Sequence, residues 1–189
     1  VDAGCYHFDI ATPEATYTGV RFCKPGRHNL LNALAAFAVA VQVTDNVKGL
    51  LEGLATFRGV QRRFSYRIAS DDLIYIDDYA HHPTEIKTTL QAIGNCWPDR
   101  RKVVVFQPHR YSRTQALFDD FTRSFYQSDV LLVLPIYAAG EKRIAGLTGR
   151  DLCEDIQAHG HKEVYCADTM EDAVVYLKAN LKPGDILLT

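Results

Sequence analysis

The segment LIYIDDYAHHPTE, residues 73–85, decides the fold of this chain. Its first four residues are apolar and predict a strand that stops at two carboxylates, Asp77 and Asp78. Pro83 and Glu85 then predict the first turn of a helix, because proline is tolerated there and an acid is favourable near the positive helix end. A strand, a polar loop and a helix in succession are typical of alternating α/β folds, which bind ligands at the carboxyl ends of their strands.

The same rhythm continues through the rest of the chain. Strands are predicted at Leu73–Asp77, 102–107, 130–136, 163–166 and Asp185–Leu188, and helices at 83–93, 115–126, 149–159 and Met170–Asn180. The stretches 103–106 and 130–134 are apolar at every position, which is typical of parallel strands covered on both faces. We therefore predict that residues 65–189 form a doubly wound, mostly parallel, Rossmann-like α/β domain.

Residues 1–64 follow a different pattern. Short β-like runs at 6–10 and 19–23 precede two predicted helices, a strong Ala-rich one at 28–43 and a shorter one at 47–57. We place a domain boundary near residues 64–70 and expect the first 64 residues to be the tail of another domain. Because the sequence starts in mid-pattern and stops on a strand-like run, we expect it to be a piece of a longer protein.

The composition is that of an ordinary globular protein: 189 residues, 47% hydrophobic and 23% charged, with a net charge of −2. That charge gives no electrostatic reason to expect nucleic acid or an anionic membrane as a partner. No apolar run approaches the roughly 20 residues needed to span a bilayer. Five scattered cysteines without metal-ligand spacing favour reduced thiols and a cytoplasmic protein.

Two polar clusters lie in the N-terminal part. Asn29 and Asn32 share one face at the start of the helix predicted at 28–43. The amide of Asn32 offers a donor and an acceptor for the edge of a purine, although helix capping by Asn29 is the favoured explanation of this cluster taken alone. The pair Arg62 and Arg63 offers planar donors for phosphate or carboxylate, with a solvated basic pair as the alternative.

Two further clusters follow predicted strands. Residues 77–85 combine two carboxylates, a tyrosine and two imidazoles, which indicate a ligand site. A divalent metal site and simple turn capping by Asp78 are the alternatives. In the loop 107–114, Arg110 and Arg113 lie near a helix start and predict an anion site rather than an exposed basic turn. The loop 136–142 follows the next strand, but by itself it is too weak a signal to favour a functional site over an ordinary surface turn.

Several common motifs are absent from this sequence: the dinucleotide fingerprint, the Gly-Lys-Ser/Thr phosphate loop and the nucleophile elbow. Other segments resemble, in the same order, motifs of the Mur ligases, ATP-dependent enzymes that build the peptide of bacterial cell-wall precursors. These segments are GRHNLLNALAA (26–36), GVQRRF (59–64), DDYAHHPTEI (77–86), FQPHRYSRT (106–114) and IYAAGE (136–141).

The resemblance implies a three-domain enzyme, with residues 1–64 as the C-terminal part of the ATP-binding central domain. Residues 65–189 would be the closing domain that binds the amino acid, truncated at its end. The most similar family members join L-alanine to the lactyl carboxylate of UDP-N-acetylmuramate through an acyl phosphate, using ATP and Mg²⁺. The phosphate loop and the main Mg²⁺ ligands are expected upstream, so the fragment alone should be inactive. A ligase that attaches a recycled tripeptide, and a non-catalytic nucleotide-binding domain, remain the alternatives, with a metallohydrolase as a weaker one.

The resemblance also implies roles for particular residues. Asn32 matches the residue that hydrogen-bonds adenine, Arg63 the one that reaches the nucleotide, and Asp78 the acid that holds the ribose hydroxyls. Tyr79 and His81 match positions that line the nucleotide and close the site.

The remaining roles concern the substrate and the chemistry. Arg110 and Arg113 match residues that face the substrate and the incoming amino acid, with catalytic and binding roles not separated. His81 or His82 is the candidate base for the amine, and His82 is also a candidate for binding the substrate.

Overall fold

The computed structural model describes residues 5–189, which form two units in contact with each other. The N-terminal unit contains an antiparallel hairpin and two helices: β1 (Tyr6–Ala11), β2 (Thr16–Phe22), α1 (Arg27–Ala40) and α2 (Val47–Thr56). Ile10, Val20 and Phe37 form its small core. The β-like runs and both helices predicted for this part are confirmed.

The second unit is a six-stranded sheet with helices packed against it. Its strands are β3 (Ser65–Ala69), β4 (Leu73–Asp77), β5 (Lys102–Phe106), β6 (Val130–Val133), β7 (Val164–Cys166) and β8 (Asp185–Leu188), in the spatial order β3-β4-β8-β5-β6-β7. Its helices are α3 (Pro83–Cys96), α4 (Tyr111–Ala116), α5 (Phe118–Thr122), α6 (Gly149–Ala158) and α7 (Met170–Asn180). Every strand pair is parallel except β3 with β4, so the predicted mostly parallel α/β fold is confirmed.

The sheet is buried on both faces, which explains the uninterrupted apolar runs in the sequence. Leu131 and Val133 of β6 face the cluster that includes α3, α5 and α6, whereas Leu132 faces the cluster packed on α7. Successive side chains of a strand point to opposite faces, so a strand between two helical layers needs apolar residues at every position.

The last strand, β8, lies between β4 and β5 in the middle of the sheet. Beyond its end, the carbonyl of Thr189 accepts a hydrogen bond from the backbone N–H of Asp78 at 2.8 Å. At its start, Asp185 is 2% exposed and forms a two-pronged ion pair with Arg101, with N···O distances of 2.9 and 2.7 Å. The chain end after β8 therefore fixes the backbone at Asp78, where the loop after β4 begins.

The observed secondary structure differs from the prediction at two places. The single helix predicted at 115–126 was wrong: α4 and α5 are two short helices that meet at Leu117, whose backbone (φ −119°, ψ 22°) is not helical. β3 was not predicted and lies in the region assigned to the domain boundary. It is an edge strand with mostly exposed residues, so it lacks the alternation of apolar and polar residues that marks a half-buried strand.

The expectation of reduced cysteines was wrong for four of the five. Cys5 is joined to Cys23, next to the paired residues of the β1–β2 hairpin, and Cys153 of α6 is joined to Cys166 of β7. Cys96 is a free thiol. In the stretch 5–189, none of the helices is long and apolar enough to cross a membrane.

Candidate functional site

A cavity of about 630 Å³ lies between the two units. The loop before α1, the helices α1 and α2, the connecting segment (residues 57–64) and α3 all contribute to its walls. Asn32, Arg63 and Asp78, the three residues predicted to contact adenine, nucleotide and ribose, all line it. Much of the remaining wall is apolar: Phe22, Ala33, Ala36, Leu54, Phe57 and Val60. The cavity therefore combines an apolar slot with a few polar groups, as small-molecule sites do.

Asp78 joins the connecting segment to the loop after β4. One carboxylate oxygen accepts a hydrogen bond from the backbone N–H of Phe64 at 3.0 Å, and the other accepts from the N–H of Ala80 at 2.8 Å. Burial raises the pKa of Asp78, and these hydrogen bonds together with nearby Arg63 oppose the rise. Each oxygen keeps a further lone pair, so the carboxylate can hold the backbone and also accept a hydroxyl group from the cavity.

Glu85 and His28 also line the cavity, although neither was among the predicted site residues. Glu85 lies 3.5 Å from Arg63 and accepts hydrogen bonds from the N–H groups of His81 and His82 at 3.0 and 3.2 Å. Burial tends to raise the pKa of Glu85, but these N–H groups, the His81 ring and Arg63 make the net shift a lowering. The capping-box spacing between His82 and Glu85 was the available sequence signal.

His28 has a buried Nδ1 without a hydrogen-bond partner in the described part of the chain. Burial lowers the pKa of His28, with Asp78 raising it and Arg63 lowering it. A buried ring nitrogen left without a partner is costly unless a ligand or water satisfies it. The first of the motifs quoted above contains His28, so the sequence offered a signal for this residue as well.

A second group of side chains lies at the carboxyl edge of the sheet. The ring centroids of Tyr79 and His81 are 4.7 Å apart, and His109 is 6.2 and 6.3 Å from these two rings and 5.3 Å from Tyr137. These four rings are called the edge cluster below. His109 and Tyr137 meet because the chain continues side by side past β5 and β6, with a parallel bridge between them.

Arg62 connects the edge cluster to the connecting segment. Its guanidinium carbon lies 4.7 Å from the centre of the Tyr79 ring, and its carbonyl accepts the backbone N–H of Tyr79 at 2.7 Å. Arg62 is also 3.7 Å from a carboxylate oxygen of Asp77. Residues 62–64 thus contact both groups: Arg62 binds the edge cluster, and the N–H of Phe64 binds Asp78 in the cavity wall.

Arg110 and Arg113 lie beside the edge cluster. Arg113 contacts the ring and the carbonyl of His109, both at 3.4 Å, and the N–H of Arg110 donates to the carbonyl of Tyr137 at 2.8 Å. No ion pair of either arginine with a carboxylate is found among residues 5–189. Burial lowers the pKa of His109, and Arg113 and Arg110 lower it further. Two cations next to a neutral imidazole form a site suited to an anion.

The structure divides the predicted residues into two neighbouring groups. Tyr79, predicted to line the nucleotide, lies in the edge cluster and not among the residues that line the cavity. His82 uses its Nδ1 to accept the backbone N–H of Thr84 at 3.3 Å, and so caps α3. His109 and Tyr137 were missed, because their approach depends on the order of strands in the sheet. The functional roles of all these residues stay predictions.

The metal alternative concerned Asp77, His81 and His82. The region that the structure covers contains no group of three or more metal-ligating side chains. His81 places its Nδ1 2.7 Å from the carbonyl of Tyr79.

Residues 62–189 match the family model described as "Mur ligase, glutamate ligase domain", and the chain belongs to the Mur ligase family. It is similar to UDP-N-acetylmuramate–L-alanine ligases, with 57% identity over 165 residues to the one from Desulfosudis oleivorans and 53% over 164 residues to the one from Desulforapulum autotrophicum. Each alignment covers 87% of this chain and 36% of the relative. The chain therefore spans about a third of the length of these relatives.

Solved structures agree with this assignment. The UDP-N-acetylmuramate–alanine ligase of Thermotoga maritima is 29% identical, with a TM-score of 0.72 over 89% of this chain and 35% of that structure. The murein peptide ligase of Psychrobacter arcticus is 24% identical, with a TM-score of 0.64 over 99% of this chain and 38% of that structure, which shows a shared fold.

Proposed function

We propose that this chain is part of an ATP-dependent ligase that joins L-alanine to the lactyl carboxylate of UDP-N-acetylmuramate. The observation that carries the proposal is the cavity between the units, lined by Asn32, Arg63 and Asp78, with Arg110 and Arg113 at the sheet edge, where neither has a carboxylate partner among residues 5–189. The identity above 50% to relatives with that activity supports this choice of substrates.

In this proposal the cavity holds the adenosine part of ATP. Its apolar walls suit a flat base, and the amide of Asn32 can pair with the edge of a purine. The free lone pairs of Asp78 accept ribose hydroxyls, and Nδ1 of His28 gains the partner that it lacks. The residues present therefore fit a purine nucleoside.

The edge cluster and its arginines are assigned to the acyl-transfer steps. The lactyl carboxylate attacks the γ-phosphorus of ATP, ADP leaves, and an acyl phosphate forms. The amine of alanine then attacks the acyl carbon and phosphate leaves. Arg110 and Arg113 would neutralise the negative charge that both steps concentrate. His81 would take the proton that the alanine ammonium must lose before it attacks.

Further groups are required from the rest of the polypeptide. The residues described here hold no cluster of metal ligands and no phosphate loop, so we assign both to the remaining two thirds of the relatives' length. Mg²⁺ would supply charge neutralisation on the phosphates there. This chain alone should then not turn over substrate.

The test is a phosphate-release assay on the whole natural polypeptide that carries this chain, supplied with ATP and UDP-N-acetylmuramate. We expect release when L-alanine is added and little without an amino acid. Release with the cell-wall tripeptide in place of alanine would instead identify a recycling ligase. ATP binding without release under either condition would identify a non-catalytic nucleotide-binding protein.

A further inference from the structure

Lys24 is a buried cation in the wall of the cavity, and nothing described so far explains it. It lies in the loop between β2 and α1 and is only 9% exposed. Its ammonium forms neither a hydrogen bond nor an ion pair within the part of the chain covered by the structure. The stem of Lys24 is largely covered, whereas its ammonium stays accessible and can donate to a group bound in the cavity.

The chain provides room for this side chain at one particular glycine. A Cβ atom added to Gly59 would lie 2.6 Å from both Cε and Nζ of Lys24, closer than real Cβ contacts. Gly59, which also lines the cavity, therefore lets the ammonium lie directly against the backbone of the connecting segment.

Lys24 occupies the apolar end of the cavity. Phe22 and Phe57 are stacked there with ring centroids 6.3 Å apart, and both line the cavity together with Lys24. Burial lowers the pKa of Lys24, whereas Arg63 lowers the pKa of Asp78 elsewhere in the cavity wall. Arg63 can pair with the anionic phosphates, which leaves Lys24, beside the stacked rings, to donate to a neutral acceptor on the base.

We infer that Lys24 determines base specificity by donating a hydrogen bond from its ammonium to an unprotonated ring nitrogen of the purine. This inference rests on the proposed function, because it assumes that the cavity holds a nucleotide. A base with a C–H group in place of that nitrogen would leave the ammonium without this acceptor. Such a loss weakens binding by about tenfold or more.

The experiment uses the whole natural polypeptide and calorimetric binding of ATP and of its 1-deaza, 3-deaza and 7-deaza analogues. In the wild type we expect one analogue to bind about tenfold more weakly than ATP. Lys24→Met keeps the apolar stem but removes the charge. In this variant the ratio of the dissociation constant of that analogue to the dissociation constant of ATP should fall close to one. Lys48→Met is the matched control, because the Lys48 side chain on α2 is 88% exposed, and its ratios should equal those of the wild type.

A second measurement needs no variant. Mass spectrometry after amine acetylation should show that adenosine protects Lys24 in the wild type, while inorganic tripolyphosphate does not. Protection by tripolyphosphate alone, or an unchanged ratio in a folded Lys24→Met protein, would overturn the inference and leave the nucleotide site standing. A wild type that binds no ATP at all would instead refute the proposed function itself.

Discussion

One carboxylate oxygen of Asp78 holds the connecting segment at Phe64 and the other holds its own loop at Ala80, so its replacement should reduce stability as well as nucleotide affinity. Asp78→Asn keeps the shape of the side chain but leaves one acceptor for the two N–H groups of Phe64 and Ala80. A buried N–H without a partner costs about 1–3 kcal/mol. The amide is easier to bury than the carboxylate, whose pKa is raised by burial, so the net loss should lie at the lower end of that range.

Two assays separate the two roles of Asp78. Urea unfolding followed by circular dichroism should show a loss of about 1–2 kcal/mol for Asp78→Asn. Isothermal calorimetry should show ATP binding about tenfold weaker, since the amide also accepts ribose hydroxyls less strongly than a carboxylate does. The control is Asp72→Asn, at an exposed position in the β3–β4 turn, where we expect a change below about 0.5 kcal/mol.

Either assay can refute the reasoning. Equal unfolding free energies for Asp78→Asn and Asp72→Asn would mean that the carboxylate does not hold the connecting segment. A stability loss with unchanged ATP affinity would keep that structural role and remove the ribose assignment.

Three other changes test separate parts of the structure. Arg101→Met should lower the free energy of unfolding by about 3 kcal/mol, because it leaves Asp185 buried and unpaired, while Arg100→Met should cost less than about 1 kcal/mol in the same urea titration. Burial lowers the pKa of His161, so the folded state binds its proton less readily than the unfolded state does. Wild-type stability should therefore fall as the pH drops below about 6.5, the unfolded pKa, and level off below the folded pKa. His161→Gln should lose this dependence when thermal unfolding is compared at both ends of that pH range. Arg113→Gln should reduce turnover of the whole ligase about 100-fold while ATP affinity stays nearly unchanged, and a loss of ATP binding would contradict its assignment to the sheet edge.

The parallel core could be predicted from the sequence because its signals are local. The apolar runs at 103–106 and 130–134 reflect burial on both sheet faces, and capping residues such as Thr169 mark helix starts. Edge elements carry weaker signals. β3 exposes most of its side chains, and the break at Leu117 depends on how α4 and α5 pack, which no local pattern records.

The candidate site was predictable in part for the same reason. Polar residues at strand ends indicated the loops after β4 and β5, but the grouping of residues depends on which strands are neighbours. The sequence therefore missed His109 and Tyr137 as partners of Tyr79 in one cluster. The pairing of Cys5 with Cys23 follows from the register of the β1–β2 hairpin, which scattered cysteine positions did not reveal.

The central place of β8 has a consequence for biosynthesis. Until residues 185–188 have been made, the pair β3–β4 and the trio β5–β6–β7 have no strand to join them. A nascent chain on the ribosome therefore exposes two incomplete half-sheets with unpaired inner edges, each able to pair with the wrong partner. Chaperone protection during translation should accordingly matter until β8 has left the ribosome.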